Sequence, residues 1–418
     1  MSTPAVRGAS LSAPALVERH GRTALIAGVA GLVLTGVGAA LNFDQFFRSY
    51  LLGFLFWTGV GVGCICILLI HHLTGGWWGL VIRRLLEAGA RTLPLCALLF
   101  LPLAFGLPRL YEWADGARRA ADPLLRHKEL YLNVPFFLLR AAFYFAVWSG
   151  LAVVLDRASL KLDALGGKGR GYYNHAQNLR GLGGGGLLLM GLTITFSSID
   201  WAMSLDPHWF STVYGVLFMV GNALSGMALM ILMVSLLGRE EPLSRVVEPS
   251  HVHDLGKLML AFVMLWAYIN VSQWIIIWSA NLPEETPWYL RRLRGGWQYV
   301  ALLLVVFHFA LPFLLLLSRG LKRDARRLAL VAVLILAVRV VDLFWMLAPD
   351  APIGHEAAGF HVHWMDLTAV VGVGGLWLWF FARALLSRPL LTVGEPELRE
   401  RMVETRLLET RAGPMPRT

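Results

Sequence analysis

Residues 328–347 read LALVAVLILAVRVVDLFWML. Twenty residues at 1.5 Å rise make a helix about 30 Å long, the thickness of a bilayer's hydrocarbon core. Only Arg339 and Asp342 interrupt the apolar run. An isolated charge at that depth costs roughly 3 to 15 kcal/mol, so such residues face a bundle interior, a partner charge or a water path. Their spacing of three puts both on one helical face, close enough to pair or to hold a common third group. The fold this predicts is an all-α, polytopic membrane protein with a polar interior.

Nine more runs of that kind surround it. Of the 418 residues 57% are hydrophobic and 15% charged, with a mean hydropathy of +0.60; soluble domains carry about 25% charge. Ten transmembrane helices are predicted, at 23–41, 50–73, 92–110, 132–155, 181–203, 213–237, 255–279, 296–318, 328–347 and 364–386. Residues 1–22 then form an N-terminal segment, 23–387 the membrane domain and 388–418 a C-terminal tail. The first run ends near Ala39 and Ala40 like a secretory signal, but 19 residues exceed the usual h-region of about 7 to 15, which favours a retained helix.

Loop charge orients the chain. Of 37 Lys and Arg, 25 fall in the N-terminal segment, the loops after even-numbered spans and the tail, counting Arg383 at the end of the tenth span; nine fall on the other face, counting Arg109 at the end of the third; Arg140, Lys257 and Arg339 lie deeper within spans. The excess marks the cytoplasmic side, so both termini of a multi-pass protein are expected there. The net charge of +10 belongs to this bias and implies no nucleic acid.

Several chemistries lack their ligands. Cys64, Cys66 and Cys96 lie inside apolar runs and read as packing residues. There is no C-x-x-C-H for covalent haem and no four-cysteine run for an iron–sulfur cluster. The glycines at 166–171 and 181–186 lack the GxxxxGK[ST] spacing of a phosphate loop, and read as a mobile loop leading into a closely packed helix. His71 and His72 end the second run and His308 lies mid-way along the eighth, without evident partners at matching depth for bis-histidine haem. For His308 the plain reading is an interhelical hydrogen bond and the sharper one a proton relay.

Placed by depth, the polar residues form two groups. Arg140, Asp200, Asp206, His208, Arg339, Asp342, His361, His363 and Asp366 share an outer band, with His355 and Glu356 in the loop before the tenth span. His72, His251, His253, Asp254 and Lys257 mark the inner side, where protons would be taken up. Trp201, Trp209 and Trp364 are ordinary interface residues, and Asp206, His208 and His361 beside them read as solvated headgroup-level positions. A buried ion pair locking the ninth span is the structural reading of Arg339 and Asp342.

An outer polar pocket suits a quinol, whose two hydroxyl protons need carboxylate or imidazole acceptors and whose tail needs an apolar slot. It equally suits a cation-coupled transporter, a proton channel or, with every charge structural, a scaffold. Paired helix breaks would favour a transporter; Pro94, Pro102, Pro135 and Pro312 are not at paired positions.

Five stretches go further: HLTGGWWGLVIRR at 72–84, SIDWAMSLDPHW at 198–209, WSANLPEE at 278–285, Trp288-Tyr289, and FHVHWMD at 360–366. Together they resemble the smaller ten-helix membrane subunit of bacterial alternative complex III, in the NrfD-like polysulfide reductase family, from the second span to the tenth. The resemblance implies two four-helix bundles, spans two to five and six to nine, plus two peripheral helices. It also implies a non-redox subunit, not catalytic alone, of a respiratory or photosynthetic quinol-oxidising complex of the bacterial inner membrane. The partners would be a larger NrfD-like subunit, an iron–sulfur subunit and multihaem cytochrome c subunits carrying the haem and clusters, with menaquinone or ubiquinone as substrate. It defines no catalytic set. The candidates for quinone binding or a proton path are Arg140, Asp200, His308, Arg339, Asp342, His363 and Asp366, with His72, His253, Asp254 and Lys257 for uptake on the inner side.

Overall fold

The computed structural model describes residues 13–350, 359–392, 394–398 and 400. Among them the chain is all-helical, without a strand, and ten helices are long and apolar enough to cross a membrane. They are Ala15–Leu41, Phe43–Thr74, Trp77–Phe105, Val134–Leu165, Gly169–Leu205, Tyr214–Leu237, Pro249–Ala280, Trp297–Leu317, Ala325–Asp350 and Trp364–Leu386. The protein is therefore an integral membrane protein. "Outer" and "inner" below denote the ends that the Lys/Arg bias assigns.

Spans two, three, four and five close one ring of contacts, and six, seven, eight and nine a second. The second and sixth spans join the rings, while the first and tenth pair with each other and lean on the second. Two four-helix bundles with two peripheral helices result. The second span is the hub, buried along most of its length, including Phe54, Val60, Cys64 and Leu68. The first and tenth approach backbone to backbone: a Cβ on Gly28 would lie 2.8 Å from the carbonyl carbon of Gly375. Small residues allow such contact in lipid, where no hydrophobic effect drives helices together.

Local sequence sets the helix starts. Asn133 accepts the N–H of Phe136 before the fourth span, and Asp324 accepts those of Arg326 and Arg327 before the ninth, each filling donors the first turn leaves free. Gly166 and Gly167 adopt φ of 64° and 73° between the fourth and fifth spans, the left-handed geometry that ends a helix.

Two expectations need correction, and the tail adds a finding. Residues 77–90, read as loop, form a helix buried from Gly79 to Ala90, so the third span starts earlier and is broken at Arg91–Thr92 and Phe100. Its charges hid it from a hydropathy reading, yet inside the protein they are paired, Glu87 accepting from both Arg83 at 3.2 Å and Arg84 at 2.6 Å. The glycine-rich loop is likewise short, because the fourth and fifth helices run on to Leu165 and from Gly169 as a hairpin. Nor is the start of the tail free. Leu390, Leu391 and Leu398 are buried, and Glu395 is bonded by Arg83 at 2.5 Å and by the Tyr172 hydroxyl at 2.6 Å.

Candidate functional site

The second bundle holds the most unusual polar centre. The ninth span buries Arg339 and Asp342, and Arg339 donates from Nη1 to Asp342 Oδ2. The same oxygen accepts the Trp266 indole N–H of the seventh span at 3.0 Å. His308 of the eighth span has its Nδ1 at 3.9 Å from that oxygen, within ion-pair range but beyond a hydrogen bond. His308 is fully buried, its ring 4.1 Å from that of Trp266, and among the described residues neither ring nitrogen has a partner; nor does Arg339 Nη2. Buried polar atoms without partners are rare and point to internal water, an ion or a functional role.

Sequence accounts for this geometry. Pro312 cannot donate to the carbonyl of residue 308, and the helix widens into a π turn over Val305–Ala310 that carries His308. Gly221 of the sixth span faces the Arg339 guanidinium, which occupies the place any Cβ would take. Two turns outward from Trp266, on the same buried face, Gln273 is 1% exposed with both amide atoms unpartnered. That residue carried no sequence signal, since a lone Gln in an apolar run reads as ordinary.

In the first bundle Arg140 grips Asp200 with two bonds of 2.8 Å, Tyr144 donates to Asp200 Oδ2 at 2.7 Å, and the guanidinium lies 3.9 Å from the Tyr131 ring centre and 4.4 Å from that of Phe136. Both carboxylate oxygens are thus occupied. Asp366 forms a third cluster. One oxygen accepts the N–H of His363 at 2.8 Å, closing the tenth helix's first turn with His363, and the other accepts Ser49 at 2.5 Å and Gln45 at 3.2 Å of the second span. A cavity of about 40 Å³ beside Asp366, Arg48 and His361 has room for a few waters and no more. The single outer band is therefore three clusters, one per helix group. His355 and Glu356 lie outside the described residues.

Asp206 is not solvated as expected: it is bonded by Arg291. Arg291 also meets Asp350 at 3.3 Å, and Arg292, fully buried, pairs with Asp350 at 2.6 Å while donating to the carbonyls of Trp345 and Met346 that end the ninth helix. Burial lowers the Arg291 pKa, but Asp350 and Asp206 outweigh it and the net shift is upward. Trp288 stacks on Trp209 at 4.7 Å and under Arg292 at 3.5 Å, completing an outer roof over the second bundle. His208, half exposed, meets Asp122 at 2.7 Å. Beside this roof, over the first bundle, a groove of about 440 Å³ is lined by His127, Lys128, Tyr131, Met203, Trp209 and Phe210 among others, a size typical of small-molecule sites.

At the inner end His253, Asp254 and Lys257 come together, Lys257 meeting Asp254 at 3.0 Å and His253 at 3.9 Å from the same oxygen. His72 stands apart in the first bundle, buried and with Nε2 unpartnered. Between the two, Trp77 stacks on His251 at 5.3 Å and Trp78 meets His71 edge-on at 5.6 Å. No family model matches the chain, and no curated protein matches it.

Proposed function

We propose that the chain is a membrane subunit of a quinol-oxidising electron-transfer complex of the alternative complex III type, and that its part is to handle protons and to present a quinol groove at the outer end. The observation that carries the proton role is the His308–Asp342–Arg339 centre: an imidazole and a carboxylate, both protonatable, deep in apolar surroundings with three nitrogens unsatisfied. Groups held this way are costly in a membrane and are the usual material of proton relays. The outer groove supports the quinol role, because its volume suits a ring and it offers Tyr131, His127 and Lys128 against Leu130, Leu132 and Phe210.

A transporter fits less well. The interrupted helices are the third and the eighth, the second member of one bundle and the third of the other, whereas inverted-repeat carriers break corresponding helices. Purification of the tagged full chain from native membranes, with haem and iron analysis, tests the proposal. Copurifying c-type haem, non-haem iron and quinol oxidation support it; an active chain free of partners, haem and iron defeats it.

A further inference from the structure

The inner corner formed by the seventh span, the short helix Arg319–Arg323 and the start of the ninth span carries six cations: Lys257, Arg319, Lys322, Arg323, Arg326 and Arg327. The nearby carboxylates are already in use. Asp254 holds Lys257, and Asp324 caps the ninth helix and meets Arg327 at 3.4 Å. Arg319, Lys322, Arg323 and Arg326 form no ion pair with a described carboxylate. Lys322 is the informative one. It is 8% exposed, and its stem presses on Gly256, where a Cβ would lie 2.8 Å from Lys322 Cγ. His253 feels the charges of Lys257, Lys322 and Arg323 together, so these groups converge rather than spread over the surface.

A topogenic signal needs only exposed, mobile cations. With its stem packed in protein, the Lys322 ammonium is held among other cations with no described carboxylate paired to it, and an anion supplied from outside would offset their mutual repulsion. We propose that this corner binds the phosphate of an anionic membrane phospholipid. Lys322 is the fixed contact, Arg319 and Arg323 approach from the headgroup side, and the acyl chains lie along the apolar faces of the seventh and eighth spans. The lipid source follows from position, since apolar runs begin on each side of the corner at Leu255, Leu317 and Leu328.

The test is native mass spectrometry of the full chain in mild detergent, titrated separately with phosphatidylglycerol, phosphatidylcholine and inorganic phosphate. Each cation near an anionic surface is worth about a fivefold change in affinity. Lys322→Met, which keeps the stem, should weaken phosphatidylglycerol retention about fivefold, and Arg319→Gln with Arg323→Gln about 25-fold, with phosphatidylcholine unchanged. Should Lys322→Met fail to fold, the exposed arginine pair decides. Equal retention of phosphatidylglycerol by wild type and variants overturns the proposal, as does equal retention of the two lipids. Displacement of the lipid by millimolar phosphate overturns it too, in favour of a free-anion site.

Discussion

Replacing Asp342 by Asn separates a proton-carrying residue from a structural one. The amide keeps the size of the carboxylate and an oxygen for the Trp266 N–H, now 3.0 Å away, so the bond of about 1 kcal/mol survives. What disappears is the counter-charge of Arg339, which is 1% exposed with Nη2 already unpartnered. Breaking one side of a buried pair costs about 3 to 5 kcal/mol, against about 5 to 15 kcal/mol for the whole stability of an ordinary domain. Asp342→Asn alone should therefore lower thermal stability or assembly. Combining it with Arg339→Gln removes both charges and should restore assembly, since a neutral replacement of a buried pair is often tolerated. Quinol turnover or proton release, measured on that same preparation, should stay at least 100-fold down, the usual worth of a general acid–base group. Full turnover and full proton release in the double variant would refute the proton role and leave a structural pair.

The pair in the first bundle should behave oppositely: Arg140→Gln with Asp200→Asn assembles and keeps turnover, whereas Asp200→Asn alone loses about 3 to 5 kcal/mol in a thermal melt. Glu395→Gln should release the C-terminal segment without unfolding the bundles, read as thiol labelling of a Leu391→Cys reporter that is protected when Glu395 is intact. Burial lowers the Lys128 pKa, with Asp206 and Asp122 opposing it. A larger fraction of this amine is therefore neutral at a given pH, and Lys128 should acylate at lower pH than an exposed lysine such as Lys168. A quinol analogue in the groove should slow that acylation; no protection at saturation would count against the groove. Cysteine labelling should place residues 319–327 on the cytoplasmic side, and an outward location would reverse the orientation.

Most of the architecture was legible because lipid imposes a simple rule: a spanning helix must be apolar for about 20 residues. Ten helices followed from it, and the ninth needed no adjustment beyond a few residues. The rule fails where protein replaces lipid as the neighbour. Trp77–Ala90 carries Arg83, Arg84 and Glu87 and so reads as a loop, yet Ser159, Asp163 and Glu395 from distant parts of the chain complete the charge balance around it. The candidate site was half legible for the same reason. Arg339 and Asp342 stood out because they violate the apolar pattern. Arg291 and Arg292 did not, because a loop with arginines is ordinary until Asp206 and Asp350 are brought to it.

The two bundles place similar chemistry in different states, and the difference suits them to different roles. Each has one arginine–aspartate pair buried within its spanning helices, Arg140 with Asp200 and Arg339 with Asp342. Arg140 and Asp200 sit on different helices, exchange two hydrogen bonds, and leave neither carboxylate oxygen free once Tyr144 has donated. Protonating Asp200 would break the contact that ties the fourth span to the fifth, so the pair is suited to holding the fold and poorly suited to carrying protons. Arg339 and Asp342 share one helix, so their ion pair is not itself a tie between spans. Their hydrogen bonds meet on a single oxygen, and His308, on a widened turn, stands 3.9 Å from it with both nitrogens unused. A movement of about 1 Å by the imidazole would turn that gap into a hydrogen bond. A centre with an unmade bond, on a helix segment already relaxed by Pro312, can take a proton at His308 while Asp342 stays ionised and paired with Arg339. Replacing Pro312 by Leu should restore the regular ladder, rotate His308 away from Asp342 and lower proton release while the complex still assembles. Unchanged proton release, with the π turn shown to be gone, would mean that the placement of His308 is incidental.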